Sequence, residues 1–202
     1  PTWSNDELIA YTDEYKRQVG GTWMHVVQDP ATLTWAVDRS RPAVRYDATD
    51  ATLVKVTATA VTADHDDTGA PLPSGVVTGI QANCSGAVTP WGTVLSAEEN
   101  VAFSYGDVET AWTSSQRFVP GQGFDAGAPI SFATAPSPAG EFVSPEPSSG
   151  HPRDGYGWLV EVDPGAAPGE YYGKTTAGVG HRKLGAIGRA AWENATFALG
   201  AD

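Results

Sequence analysis

The chain has 202 residues, of which 41% are hydrophobic and 10% aromatic. This is enough apolar material for one folded domain with a sizeable core, and too much for an intrinsically disordered protein. The formal net charge of -12 excludes a nucleic-acid partner, because no basic patch is present to release counterions from phosphates. A single cysteine excludes an intrachain disulfide, and no apolar run approaches the roughly 20 residues that span a bilayer.

The N-terminal segment predicts one amphipathic helix. Ser4-Asn5-Asp6-Glu7 has the form of a capping box, in which Glu7 follows Ser4 by three residues. Apolar side chains then recur at helical spacing, at Leu8, Tyr11, Tyr15 and Val19. Two glycines end the pattern, so we expect a helix over residues 5–19, within a linking segment formed by residues 1–20.

From residue 21 to residue 202 the pattern changes to short β-rich runs separated by turn residues. Because no helices alternate with these runs, they predict an all-β, antiparallel architecture. Residues 105–152 are rich in Gly, Pro, Ser and Thr, and predict a loop-rich insertion with one weak strand over residues 129–134. The predicted strands cover residues 22–28, 33–38, 53–62, 76–82, 93–97, 157–162 and 191–199.

Two sets of ionisable side chains lie in or after the first predicted strands. His25, inside the first strand, is interpreted as a packed or solvated histidine rather than a ligand. Asp64-His65-Asp66-Asp67 lies at a turn and could bind a cation, but it lacks the spacing of a calcium loop. We interpret this cluster as a solvated turn.

Residues 83–100 hold the only cysteine and a pair of adjacent carboxylates. Cys84 offers a soft thiolate ligand, and Glu98 and Glu99 offer hard oxygens, which together could begin a metal site. No second cysteine and no histidine lies nearby, so the spacing fits no standard zinc site. Adjacent residues of a strand point to opposite faces, so both carboxylates reach one site only if the strand bends or ends there. The alternative is a buried thiol that acts as a small apolar group, followed by an exposed acidic strand end.

Two later carboxylates lie inside apolar strands. Alternation places Trp158, Val160 and Val162 on one face of the strand over residues 157–162 and Glu161 on the other. A buried glutamate is costly unless it is paired or bound to a cation, so Glu161 is predicted to be metal-bound or paired. Glu193 has a similar place in the last predicted strand.

Three motifs, in this order along the chain, resemble signatures of the PhoX-type alkaline phosphatases, and the resemblance covers roughly residues 20–200. The motifs are Asn83-Cys84-x-Gly86-x-x-Thr89-Pro90-Trp91-Gly92-Thr93-x-Leu95-x-x-Glu98-Glu99-Asn100, Gly157-Trp158-Leu159-Val160-Glu161-Val162-Asp163-Pro164, and Gly188-Arg189 followed by Glu193-Asn194-Ala195. The resemblance implies a β-propeller, of which this chain looks like the first half, about two to three blades. The remaining blades would then come from a further segment or from a partner chain.

The resemblance also implies hydrolysis of phosphomonoesters by a cluster of Fe³⁺ and Ca²⁺ ions. Bound cations would allow so acidic a chain to attract a phosphate. The implied metal ligands are Cys84 on ferric iron, Glu98 and Glu99 (with Glu99 preferred), Glu161 and Glu193, with Asn83 as a close neighbour of the cluster. The chain departs from the family pattern at two positions, since Ala97 stands where members often carry cysteine and Trp192 where histidine is usual.

Two other functions stay open at this point. One is a non-catalytic β-propeller scaffold or binding fragment, which would hold no iron. The other is a calcium-dependent propeller hydrolase of a different ester, in which Cys84 would be dispensable. No signal peptide is visible at Pro1, but the family is typically exported, so the resemblance implies a secreted or periplasmic protein with no membrane or nucleic-acid partner.

Overall fold

The computed structural model describes residues 16–99, 151–175 and 179–198, together with residues 10, 14 and 200 and the backbone of two short strands over 117–119 and 123–125. Residues 10, 14 and 16–18 are helical, in agreement with the predicted helix; the rest of residues 5–19 lies outside the described part. No helix in the described residues is both long and apolar enough to cross a bilayer.

Short strands dominate the described residues, and the all-β prediction is confirmed. Two 3-10 turns, Arg153–Gly155 and Gly185–Ile187, accompany them. The strands are β1 (Gly21–Trp23), β2 (Val26–Gln28), β3 (Trp35–Val37), β4 (Val44–Tyr46), β5 (Leu53–Thr57), β6 (Val76–Thr78), β7 (Asn83–Val88), β8 (Val94–Glu98), β9 (Arg117–Val119), β10 (Gly123–Asp125), β11 (Leu159–Val162) and β12 (Arg182–Leu184).

Six of these strands form one sheet in the order β6-β5-β12-β11-β8-β7. All neighbours pair antiparallel except β12 and β5, which run parallel. The alternation predicted for residues 157–162 is confirmed, because the side chains of Trp158, Val160 and Val162 enter the core together. The core also contains Tyr46, Val54, Val56, Val77 and Ile80.

The β1–β4 and β2–β3 pairs are two separate two-stranded sheets outside this sheet. The predicted hairpin between residues 22–28 and 33–38 is confirmed, although its first strand is interrupted at Met24 and His25, because β1 pairs with β4 while β2 pairs with β3. The hairpin is solvent-exposed, and the side chain of Trp35 is 65% exposed.

Other predicted strands are shorter or absent. The run over residues 53–62 ends at Thr57, where Ala58 takes a positive φ of 62°, and the run over 76–82 ends at Thr78 before Gly79 at φ 66°. The prediction of a strand over residues 191–199 is wrong at the described positions, which are irregular. The weak strand over 129–134 lies outside the described residues.

The sheet order also bears on the predicted propeller. Within residues 16–99, 151–175 and 179–198 the large sheet is open, and no ring of blades is present. The propeller therefore stays a prediction.

Candidate metal centre

The β7–β8 hairpin contains a β-bulge at the cysteine. The ladder pairs Asn83 with Glu98 and then Gly86 with Ser96. Cys84 and Ser85 therefore face a single residue, Ala97. Such a bulge bends a strand and redirects its side chains, and bulges are frequent beside active sites.

A third segment of the chain is hydrogen-bonded to the backbone of the bulge. The Ser85 N–H, which has no partner in the ladder with β8, donates to the Glu193 carbonyl oxygen at 2.9 Å. Just after the bulge the strands approach so closely that a Cβ on Gly86 would lie 1.9 Å from the Leu95 carbonyl oxygen. Only glycine fits at this position, so the sequence itself enforces the close contact.

Cys84, Glu99 and Glu193 are electrostatic neighbours at this bulge. The Cys84 side chain is exposed, and a hydrogen bond with the Glu99 carboxylate raises its pKa above the ordinary value. The negative charges of Glu99 and Glu193 raise the same pKa further. A thiol among carboxylates holds its proton for this reason, whereas a cation among the same three groups would favour the thiolate.

Asn83, the residue before Cys84, has an amide oxygen for which the described segments provide no donor. Its Nδ2 donates to Ser96 Oγ at 3.0 Å, while its Oδ1 is buried and accepts no hydrogen bond within the part of the chain that the structure describes. A buried amide oxygen without a donor is costly, and a hard cation such as Ca²⁺ readily accepts such an oxygen as a ligand.

Glu98 lies inside the protein, although it is the neighbour of Glu99. Both it and Lys183 are 0% exposed, and Lys183 Nζ donates to Glu98 Oε1 at 2.9 Å. The backbone N–H groups of Gln81, Gly157 and Trp158 donate to the same carboxylate, at 3.1, 2.9 and 3.1 Å. Burial raises the pKa of Glu98, and the Lys183 charge opposes this effect.

Glu161 is also buried and paired, at 1% exposure. Its carboxylate accepts hydrogen bonds from Trp91 Nε1 at 2.7 Å, Thr93 Oγ1 at 2.6 Å and Arg182 Nε at 2.5 Å. Burial alone would raise its pKa, but these three donors outweigh burial and hold the pKa of Glu161 below its ordinary value. The paired state expected for this residue is present, and metal ligation by Glu161 stays a prediction.

A second group of possible ligands lies elsewhere, at Asp64, His65 and His151, whose ligand atoms are all within 4.8 Å of one another. Asp64 and His151 are buried, and His151 Nδ1 donates to Asp64 Oδ1 at 2.9 Å. The prediction of a solvated turn is therefore wrong for Asp64. The sequence contained its signal in the acidic run beside His65, but His151 comes from a distant segment.

The second group already holds a positive charge that the protein supplies. The buried Lys16 ammonium lies 2.9 Å from His151 Nε2 and forms an ion pair with Asp67. Thr78 donates to the remaining Asp64 oxygen, from its N–H at 2.9 Å and its hydroxyl at 3.2 Å. A metal ion would have to displace these donors, so the group fits an internal ion-pair network that connects Lys16 to the sheet.

Comparison with known families gives one match. The family model described as alkaline phosphatase PhoX matches residues 6–202. The chain belongs to the PhoX alkaline phosphatase family. No curated protein and no solved structure gives a significant match.

PhoX proteins are metalloenzymes, so membership indicates a metal-dependent alkaline phosphatase. The bulge fits such a centre on two observations. A thiol and two carboxylates from three separate segments lie together on an accessible surface, and the amide oxygen of the preceding residue, Asn83, lacks a donor among the described residues. This donor set combines soft and hard ligands, which suits a metal centre.

Proposed function

We propose that this chain hydrolyses phosphomonoesters with an iron and calcium cluster held by Cys84, Glu99 and Glu193. The observation that supports the proposal is that Glu193, which is distant in the sequence, lies beside Cys84 and Glu99 at the bulge of one hairpin. Membership of the PhoX family gives the reaction class.

Each side chain has a role that follows from its chemistry. Cys84, once deprotonated, is the soft ligand for Fe³⁺; Glu99 and Glu193 are hard ligands, and the Asn83 amide oxygen completes the hard side for Ca²⁺. When bound, these ions supply positive charge for the phosphoryl oxygens and lower the pKa of a water molecule. The exposed position of Cys84 and Glu193 leaves room for a phosphate ester to approach.

The acidic composition of the chain favours a metal-dependent version of this function. At a formal net charge of -12, the protein repels a phosphate dianion unless cations reverse the local field. Within the described residues, Lys183 and Arg182 are engaged with buried carboxylates. These two cations are therefore not available to a phosphate in this arrangement, and bound ions would supply positive charge at the site.

The remaining parts of the proposal follow from the family resemblance. Further ligands would come from a second propeller segment or from a partner chain, and the substrate would be a phosphomonoester in a secreted or periplasmic setting. Within this scheme Glu161 becomes an additional ligand only if it exchanges its present hydrogen-bond partners. Glu98, whose two oxygens already accept four hydrogen bonds, is not one of the proposed ligands.

The test combines elemental analysis with turnover of p-nitrophenyl phosphate. We expect the wild type, purified with its metals, to contain iron and calcium and to lose activity on chelation. Cys84→Ala should lose iron and activity, and Glu193→Gln should lose calcium and most activity. Glu170→Gln is the matched control, because Glu170 is a partly exposed carboxylate that pairs with Lys174 elsewhere.

Two outcomes would favour the other candidate functions. Absence of iron and of turnover in the metal-loaded wild type would indicate a scaffold or binding protein. Calcium-dependent turnover that survives in Cys84→Ala would remove iron–thiolate chemistry and indicate a different propeller hydrolase.

A further inference from the structure

We propose that Glu98 is a positioning residue, whose buried carboxylate and main chain together hold the backbone segments that carry Cys84, Glu99 and Glu193. The functional consequence rests on the metal site proposed above, whereas the structural role does not. Glu98 itself would bind no metal.

The first segment held by Glu98 is the approach to the cysteine. Glu98 Oε1 accepts the Gln81 N–H at 3.1 Å, three residues before Cys84. The next residue after Glu98 continues the contact, because the Glu99 N–H donates to the Ala82 carbonyl oxygen at 3.0 Å. Side chain and main chain therefore both attach the residues that lead into β7 to the end of β8, on one side of the bulge.

The second segment is the irregular stretch that carries Glu193. The Glu98 carbonyl oxygen accepts the Trp192 N–H at 3.1 Å, and the Ser85 N–H donates to the Glu193 carbonyl oxygen at 2.9 Å. These two bonds flank Glu193, so its position depends directly on where the backbone of residues 85 and 98 lies. Since Glu99 follows Glu98 directly, all three proposed ligands are within three residues of a contact made by Glu98.

The third set of contacts anchors Glu98 to the middle of the sheet. Glu98 Oε2 accepts the Gly157 and Trp158 N–H groups, and the Glu98 N–H donates to the Trp158 carbonyl oxygen at 3.0 Å. Gly157 has φ +87°, a conformation that favours glycine. Lys183 Nζ, which bonds to Glu98 Oε1, also donates to the Gly155 carbonyl oxygen at 2.7 Å.

The chemistry of these contacts requires a carboxylate at residue 98. Four N–H donors converge on the two oxygens, two on each, and every one of them needs an acceptor. Glutamine has the same shape but only one oxygen, and its NH₂ group would face donors in place of the other. These four donors occupy the oxygen lone pairs through which a metal ion would bind. Glu98 therefore differs from its neighbour Glu99, which is proposed as a ligand.

The experiment measures binding of Co²⁺, a spectroscopic probe for thiolate ligation, to the full chain. In wild type we expect a sulfur-to-cobalt absorption band that disappears in Cys84→Ala. Glu98→Gln should retain the band but bind Co²⁺ roughly 10- to 100-fold more weakly, which is the usual cost of losing an outer-shell partner. Glu98→Asp keeps the charge and should show a smaller loss. If Glu98→Gln does not fold, the aspartate variant gives the same comparison.

Thr52→Val is the matched control. Thr52 is 1% exposed and its hydroxyl accepts a hydrogen bond from the Asp47 N–H, far from the bulge. This isosteric change also removes a buried acceptor, and we expect wild-type affinity for Co²⁺. Equal weakening in Thr52→Val and Glu98→Gln would reduce the role of Glu98 to general stability and overturn the proposal.

Amide hydrogen exchange on metal-free protein gives a second, independent measurement. In Glu98→Gln, protection from exchange should fall at the Gln81, Ser85 and Trp192 amides at least about tenfold more than at the β5 amides. The reason is that local opening of the structure occurs separately from global unfolding. A uniform fall across the sheet would refute positioning by Glu98. If wild type shows no thiolate band, the proposed metal site fails, but this exchange pattern still decides the role of Glu98.

One further result would overturn the proposal in the opposite direction. Complete loss of the thiolate band in Glu98→Gln, with amide protection unchanged, would make Glu98 a ligand in its own right. Unchanged affinity and unchanged protection would show that the carboxylate has no influence on the bulge.

Discussion

Replacement of Lys183 by methionine removes the ammonium group that contacts the Glu98 carboxylate. Both side chains are 0% exposed, and methionine has a similar length, so the change removes a charge without opening a large cavity. The carboxylate retains three backbone N–H donors but loses its counter-charge. The ammonium also lies 4.4 Å from the centroid of the Tyr156 ring, and this cation–π contact is lost as well.

The expected cost of Lys183→Met is large. Removing one partner of a buried ion pair typically costs about 3–5 kcal/mol, because the other charge stays buried without compensation. Folded proteins have free energies of unfolding of about 5–15 kcal/mol, so the variant should lose a large fraction of its stability. The measurement is urea-induced unfolding followed by circular dichroism, with the double variant Lys183→Met/Glu98→Gln as the comparison.

The direction of the Glu98 pKa shift predicts how the cost of Lys183→Met changes with pH. Burial raises the Glu98 pKa from its ordinary 4.5, and the Lys183 charge is the largest opposing influence. Without that charge the folded state binds a proton at pH values where the unfolded state has released it, so stability falls as pH rises above about 4.5. The cost of Lys183→Met should therefore be larger at pH 8 than at pH 5.

A small and pH-independent effect would refute this reasoning. If Lys183→Met lost less than about 1 kcal/mol at both pH values, the pair would contribute no more than an exposed salt bridge. If the double variant were as unstable as the sum of the two single variants, the two groups would not be coupled.

Three other predictions follow from the same structure. Burial would raise the Asp67 pKa, but His151 and Lys16 outweigh burial and hold this pKa at about 2, below its ordinary 3.8. Asp67→Asn should therefore lower the free energy of unfolding in urea at pH 7 by up to about 2 kcal/mol. This loss should become smaller as the pH falls from 4 to 2. Gly86→Ala should lower the melting temperature by several degrees or more and weaken Co²⁺ binding, because its Cβ would overlap the facing strand; an unchanged melting temperature would contradict the close contact. The Glu161 pKa is below its ordinary value in the folded protein, so its ion pair stabilises the fold above pH 4.5, and this stabilisation is lost as the pH falls through the folded-state pKa. Glu161→Gln should destabilise the protein by about 1–3 kcal/mol at pH 7. In a series of unfolding curves at falling pH, this variant should not show the loss of stability that the wild type shows in acid.

The sequence predicted the parts of the fold that local rules control. The run over residues 157–162 alternates and ends in Asp163-Pro164-Gly165, and the strand and its turn are both present. The rule that adjacent strand residues face opposite sides also predicted that Glu98 and Glu99 would separate unless the strand bent. They do separate, with one inside the protein and one beside Cys84.

The order of the sheet could not be predicted, because it depends on contacts between distant residues. β12 has only three residues, Arg182–Leu184, two of them charged, and gave no strand signal. Lys183 is buried with its ammonium paired to Glu98, a residue 85 positions earlier in the sequence. For the same reason the acidic run at Asp64 looked solvated, since its partner His151 lies 87 residues further along the chain.

The last predicted strand failed for a different physical reason. Residues 191–199 have apolar side chains at strand-like spacing, but their backbone groups bond singly to separate segments, such as the Trp192 N–H to Glu98 and the Glu193 carbonyl oxygen to Ser85. A ladder needs a continuous partner strand, and the edge of β7 offers only its bulge. Alternation in the sequence indicates which side chains are buried. It does not indicate whether a partner strand is available.

The central place of β12 has a consequence for synthesis of the protein. Among the described strands β12 comes last in the sequence, yet it lies between β5 and β11, and Lys183 contacts Thr57 across 126 residues. The hairpins β5–β6 and β7–β8 leave the ribosome first and cannot join until this late strand arrives. Until β12 arrives, the edges of β5 and β11 that it covers stay open to other chains. Assembly of the sheet should therefore be slow and should depend on protection of nascent chains from one another.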